Sequence, residues 1–392
     1  MENRLSHGAT FSCEHDRRDT MIDFGSTEGR VRANVSGRPI RPVPDRPRGS
    51  VVDIFCGAGG LTHGFRLEGY AVAAGIDVDE ACRYAFEHNN EAPFLRKDVS
   101  YLSAQELLDL FYQGEPKILV GCAPCQPFST YNQKKADPKW RLIRRFGELV
   151  CDTKPDIISM ENVPRLMEFR EGRVFGDFTA RLKAAGYHVD HQIVFLPNYG
   201  LPQRRSRLVL LASRHGSIRL EKPTFEPNSY RTVEEAIGNL PVLRAGAIDP
   251  RDPLHRASRM SELNRRRIRA SKPGGSWKDW SEDLVAKCHR AKSGRSYEAV
   301  YGRMKADEPS PTITTQFFGF GNGRFGHPHQ HRALSLREGA ILQSFPRDYA
   351  FVAPGDAIEF KKLGRMIGNA VPVLLSRAIA RTISGHVKEY GL

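Results

Sequence analysis

The chain has 392 residues, 40% of them hydrophobic and 27% charged, the balance of a soluble globular protein with a core large enough for two lobes. No apolar run approaches the roughly 20 residues of a membrane span, and Met1–His7 carries no apolar signal core, so a cytoplasmic protein with no membrane partner is expected. A formal net charge of +14 and a pI near 9.6 point to a polyanionic partner, because basic surface gains free energy by releasing condensed counterions. Seven cysteines stand at 13, 56, 82, 122, 125, 151 and 288. An odd, scattered set is no disulfide framework and fits reduced thiols.

Residues 1–49 are polar, lack helical periodicity and end in the proline- and arginine-rich run Arg38–Arg48. Proline at that density enforces extended backbone and removes donors, which reads as a disordered extension and linker. From Val51 strands and helices alternate. The strands are expected at 51–55, 71–77, 117–122, 156–161, 188–195 and 208–212. Helices are expected between them at 61–68, 80–89, 104–111, 142–151 and 175–185. Short apolar strands alternating with amphipathic helices imply an α/β fold with a doubly wound, mostly parallel sheet, and ligands of such sheets bind at the carboxyl ends of strands. After Ser213 the rhythm stops. Residues 214–308 mix proline, glycine and charge, and a strongly basic stretch, with Arg265, Arg266, Arg267 and Arg269, carries Trp277, Trp280, Tyr297 and Tyr301; this reads as a second, smaller lobe with a basic face. Apolar periodicity returns at 334–345 and 371–387, so the large lobe is expected to be discontinuous: 50–213 and 331–392, with 214–330 between, and a final helix packing back beside the first loop.

The candidate chemistry sits at the strand ends. The loop Phe55-Cys56-Gly57-Ala58-Gly59-Gly60 follows a strand and opens a helix, where glycine lets a ligand approach the backbone and free N–H groups face it. Asp77 closes the next strand and can take the hydroxyls of a ribose. Asp98, beyond Phe94–Lys97, suits an adenine amino group. For either aspartate the alternative is a helix N-cap. Together they favour an adenosyl cofactor, without excluding a nicotinamide dinucleotide. Cys125 follows an apolar strand in Gly121-Cys122-Ala123-Pro124-Cys125-Gln126-Pro127-Phe128-Ser129, placed as a nucleophile in a proline-stiffened loop. No second CxxC or histidine pair completes a zinc site, so no metal is expected, and Cys122 reads as a structural strand-end residue. Glu161 ends an apolar strand, where desolvation raises a carboxyl pKa and a protonated acid can donate to a ring nitrogen; pairing with an arginine is the alternative. Gln203, Arg205 and Arg207 alternate and should share one face of an extended segment, suited to a phosphate or a base oxygen. A glycine loop, a cysteine, a buried acid and an arginine pair are the parts needed to alkylate a pyrimidine ring.

In this order the blocks resemble those of the DNA (cytosine-5)-methyltransferases, over roughly 51–213 and 309–385. Asp53–Gly60 looks like that family's cofactor motif, Pro124-Cys125-Gln126 its nucleophile motif and Glu161-Asn162-Val163 its acid motif. Gln203-x-Arg205-x-Arg207 looks like its arginine motif, while Arg332–Glu338 and Gly368-Asn369-Ala370-Val371-Pro372 match its two late motifs. Ala123 stands where many members have proline. The resemblance implies S-adenosylmethionine as cofactor, held by Phe55, Gly57, Gly59, Gly60, Asp77, Asp98, Pro124 and Asn369. It implies Cys125, Glu161, Arg205, Arg207 and Gln203 as the catalytic set and double-stranded DNA as substrate, with the target cytosine flipped out and attacked by Cys125. It places a target recognition domain between the arginine motif and Arg332. One active site per chain makes a monomer the default, DNA binding would associate it with the nucleoid, and members of this family often have a cognate restriction endonuclease acting on the same site. One branch of the family methylates transfer RNA and carries Cys-Phe-Thr in the recognition region; that tripeptide is missing here. A non-catalytic DNA-binding regulator that keeps the fold is the other reading, against which stand Cys125, Glu161, Arg205 and Arg207.

Overall fold

The computed structural model describes residues 49–125, 128, 138–291 and 294–392. The expected extension, apart from Gly49, lies outside the described residues, as do Gln126, Pro127 and Ser129 of the cysteine motif. The first part alternates as expected: β1 (Ser50–Ile54), α1 (Gly60–Leu67), β2 (Ala71–Asp77), α2 (Arg83–Asn90), β3 (Phe94–Arg96), α3 (Ala104–Leu110), β4 (Lys117–Gly121), α4 (Arg141–Thr153), β5 (Ile157–Asn162), α5 (Arg173–Ala184), β6 (His188–Phe195) and β7 (Ser206–Ser213). These strands form one sheet in the order β3-β2-β1-β4-β5-β7-β6. Strands β1 to β5 pair in parallel, and β7 runs antiparallel to both β5 and β6.

The central strands are buried on both faces, and the period of two divides them. Val52, Ile54, Leu119 and Ile158 pack with Leu107, Phe146 and Phe178 of α3, α4 and α5. Val51, Ile118, Val120 and Ile157 pack on the opposite side with Leu61 and Phe65 of α1 and with Ile379 and Ile383 from near the C-terminus. Helices on both faces are what all-parallel strands require.

Two expectations need correction. The expected strands at 51–212 omit β3, although Asp98 is placed at a strand end: only Phe94 of its three residues is buried, while Leu95 and Arg96 are exposed, so this edge strand shows no alternation. The arginine motif does not lie at a strand's carboxyl end. It leads into the amino end of β7, and the antiparallel pairing of Asn162 with Leu208 and of Glu161 with Val209 brings that end to the edge where β4 and β5 finish.

Beyond β7 regular structure is sparse: α6 (Val233–Ile237), β8 (Ile248–Asp249), β9 (Asp252–Arg256), α7 (Glu262–Ala270) and α8 (Lys287–Arg290). Trp280 and Phe320 pack with Met260, Ile268 and Leu284 in a small core, with Tyr301 against it. Thus part of the aromatic, basic stretch is interior. Arg267 is buried, its guanidinium 5.7 Å from the Trp280 ring centre and 5.0 Å from that of Tyr301. The chain then forms α9 (Leu336–Leu342), α10 (Phe360–Asn369) and α11 (Val373–Tyr390). Helix α11 lies against α1 closely enough that a Cβ on Gly64 would meet Ser376 at 2.3 Å. No helix among the described residues is long and apolar enough to cross a membrane.

Candidate active site

The chain leaves β1 through a sharp turn. Phe55 takes φ 67, a left-handed conformation costly for an aromatic residue. The amides of Phe55 and Cys56 both donate to Ile76 O, at 2.8 and 3.1 Å. Gly57 follows at φ 51, and its N–H donates to Asp77 Oδ2 at 2.9 Å. The other oxygen of Asp77 accepts from Asp79 N at 2.9 Å. Asp77 therefore braces the loop from the end of β2, with lone pairs to spare on each oxygen. Burial pushes its carboxyl above the usual carboxylate range, against the backbone donors of Asp79 and Gly57.

Beside this loop lies a cavity of about 1000 Å³ at the carboxyl ends of the strands. Phe55, Gly57, Gly60, Asp77, Asp98, Pro124 and Asn369 line it. Gly59 does not; at φ 89 its missing Cβ would come within 2.3 Å of Asn90 Nδ2 and 3.1 Å of Phe86, so packing behind the loop demands glycine there. Asp98 combines both readings offered by the sequence, capping the following turn through Ser100 N at 2.8 Å while facing the cavity. Two lining residues had no sequence signal. Arg365 on α10 reaches Asp79 Oδ2 at 2.6 Å, closing one wall, and Trp140 lies under the Arg170 guanidinium at 4.3 Å. The size of the cavity, its glycine-lined floor and the Asp77 carboxylate at its rim fit an adenosyl cofactor.

Cys122 and Cys125 line the same cavity. Burial pushes the half-buried Cys125 thiol up, and Arg207 pulls it back down. Glu161 on β5 is 2% exposed. Arg207 Nε on β7 stands 2.7 Å from its Oε1, an ion contact without an aligned hydrogen bond, while the Cys122 thiol donates to Oε2 at 2.9 Å. Desolvation raises the Glu161 pKa, and Arg207 and Cys122 oppose it. The acid is thus both desolvated and paired, where the sequence reading set these as alternatives. Asn162, next along β5, donates to Ala123 O at 3.0 Å and ties the cysteine loop to the acid's strand.

The arginine motif divides. Gln203 donates to Leu342 O at 3.0 Å and to Gln343 Oε1 at 2.9 Å, and accepts from Ile313 N at 3.0 Å. Arg205 donates to Ile313 O at 3.2 Å, and its Nε is a buried donor without a partner. These two residues face the late segments, whereas Arg207 faces Glu161. Hydrogen bonds across 108 residues or more of sequence could not be read from the motif itself.

The mostly parallel seven-stranded sheet, with its cavity at the carboxyl edge, has the fold of the S-adenosylmethionine-dependent methyltransferases. The chain belongs to the C-5 cytosine-specific DNA methylase family, whose profile matches residues 49–385. It transfers a methyl group from S-adenosylmethionine to carbon 5 of cytosine in DNA. The Type II methylase M.HgiDII of Herpetosiphon aurantiacus is 52% identical over 336 residues, covering 86% of this chain and 95% of the relative. The Type II methyltransferase M1.HphI of Haemophilus parahaemolyticus is 30% identical, covering 85% and 86%. A prophage-encoded DNA modification methyltransferase of E. coli shares the fold with a TM-score of 0.68 at 20% identity, covering 86% of this chain and 99% of that one.

Proposed function

We propose that the protein methylates one cytosine within a specific duplex DNA sequence, through a covalent adduct of Cys125 with a base flipped out of the stack. The observation that carries this reading is that Cys125 opens onto the same cavity as the glycine loop while Glu161 and Arg207 stand paired beside it. Ring carbons 5 and 6 are out of reach inside a duplex, so the base must leave it. The Cys125 thiolate adds to carbon 6, and the ring electrons move toward carbon 5 and nitrogen 3. Glu161 hydrogen-bonds nitrogen 3 and the amino group, supplying the proton that holds this electron-rich adduct. S-adenosylmethionine supplies an electrophilic methyl group at carbon 5. Loss of the carbon 5 proton then returns the electron pair that expels Cys125. Arg207 fixes the acid, and the unpartnered Arg205 Nε suits the cytosine oxygen or the adjoining phosphate. Gln203 holds Arg205 to the late segments. Phe55, Gly57, Gly60, Asp77, Asp98, Pro124 and Asn369 serve the cofactor, with Gly59 shaping the loop.

In this reading residues 50–213 and 331–392 make the catalytic domain, and 214–330 recognise the target, with Arg265, Arg266 and Arg269 exposed on α7 for phosphate contacts. The relatives' Type II names support a modification enzyme working beside a restriction endonuclease of the same site; one active site per chain suits a monomer, and DNA binding would hold it near the nucleoid. The test is transfer of tritiated methyl groups to unmethylated duplex DNA by the protein and by Cys125→Ser and Glu161→Gln. Label at carbon 5 of cytosine for the unaltered protein alone is expected. Equal turnover in either variant would overturn that residue's role.

A further inference from the structure

Cys122 has no part in the chemistry above, yet its side chain is engaged. It is the first residue after β4, whose parallel register sets Gly121 opposite Met160, so the next residue on each strand brings Cys122 to Glu161. Its thiol meets Oε2 at 2.9 Å, while Oε1 faces Arg207 Nε at 2.7 Å and keeps its acceptor sites open. A carboxylate offers about four lone-pair positions. The thiol on Oε2 and the guanidinium beside Oε1 leave positions for a ligand and restrain the carboxyl plane.

We propose that Cys122 is a positioning residue: its thiol holds Oε2 so that the Glu161 carboxyl meets ring nitrogen 3 and the amino group of the target cytosine in one fixed plane. This rests on Glu161 being the acid of the reaction. A thiol suits the task because it is a weak donor. Arg207 already favours the ionised acid, and a second strong donor would keep the proton off the carboxyl that must deliver it. Burial, opposing both, holds the carboxyl up. The Cys122 thiol is itself pushed well up, by burial first and Glu161 second, so it stays protonated and keeps donating. The titratable and charged groups facing Glu161 are Cys122 and Cys125 from the end of β4 and Arg207 from β7.

The test is steady-state methylation kinetics against pH for the unaltered protein, Cys122→Ala, Cys122→Ser and Glu161→Gln, with S-adenosylmethionine affinity measured by calorimetry. Removing the donor with Cys122→Ala should lower kcat about tenfold while leaving cofactor affinity within about twofold. It should also move the basic limb of kcat/KM to higher pH. Cys122→Ser, with a stronger O–H donor, should move that limb to lower pH and recover kcat only on the acidic side of the profile, where the carboxyl still holds its proton. A merely structural residue would not shift the limb in opposite directions. Basic limbs unmoved in both variants would overturn the proposal. If the alanine variant does not fold, an unmoved limb in the serine variant suffices to overturn it. If Glu161→Gln turns over like the unaltered protein, the acid assignment itself falls. An inactive Glu161→Gln with unmoved Cys122 profiles sinks only the role of Cys122.

Discussion

At the scale of single residues, the cofactor loop stores unfavourable chemistry. Asp53 on β1 is fully buried; one oxygen accepts from Thr62 Oγ1 at 2.6 Å and the other has no partner. Burial, opposed by the Thr62 hydrogen bond and reinforced by Asp77, pushes its pKa from 3.8 to about 8. The folded state therefore holds a proton that the unfolded chain has released. The associated stability is complete below the unfolded value of 3.8 and is lost as pH rises toward about 8, at up to about 1.4 kcal/mol per pH unit. Asp53→Asn should flatten the fall in Tm between mildly acidic and mildly alkaline buffer; an unchanged slope would place the proton elsewhere. Gly59→Ala should cost about 1–3 kcal/mol, because alanine resists the left-handed backbone and its Cβ would strike Asn90. Weaker cofactor binding should accompany the lower Tm.

At the scale of elements, α9 shows how the late segment is locked at its own start. Ser335 and Glu338 form a capping box at its start. Arg332, fully buried, donates to both oxygens of Glu338, at 2.7 and 2.6 Å. Burial alone would raise the Glu338 carboxyl, yet Arg332, aided by His327 and the Ser335 amide, holds it near 2. Its folded pKa lies below the unfolded 4.5, so this stabilisation is complete above 4.5 and is lost as pH falls toward 2. Arg332→Ala leaves a buried carboxylate unpaired and should cost about 3–5 kcal/mol; urea denaturation measures it. Helix α11 is locked differently. Ser376 donates to Leu61 O, and the Cβ missing from Gly60 would meet Val371 O at 2.5 Å, so the C-terminal helix and the cofactor loop share a boundary. Gly64→Val should force α1 and α11 apart at a cost of about 1–3 kcal/mol, again read as Tm together with cofactor affinity.

At the scale of the molecule, the net charge of +14 predicts DNA binding that weakens steeply with salt. Each phosphate contact adds about 0.9 to the slope of log K against log salt. Replacing Arg265, Arg266 and Arg269 of α7 with glutamine should lower that slope by up to about three if all three reach phosphates. An unchanged slope would place the DNA on another face.

Much of this was legible in the chain itself. The parallel core and its helices followed from apolar runs of strand length between amphipathic stretches, because burial on both faces leaves that pattern in the residues. The glycine loop, Cys125 and Glu161 were legible because each sits in a local motif whose backbone demands are met within a few residues. Tertiary structure alone decided which groups meet. The antiparallel turn of β7 sets Arg207 against Glu161, and the register of β4 with β5 sets the Cys122 thiol on the same acid. Gln203 is bound to Leu342 and Gln343 rather than to its sequence neighbours, and Trp280 and Arg267 lie inside a small core rather than on a basic face. Such contacts depend on strand direction, register and long-range packing, which composition and periodicity do not encode.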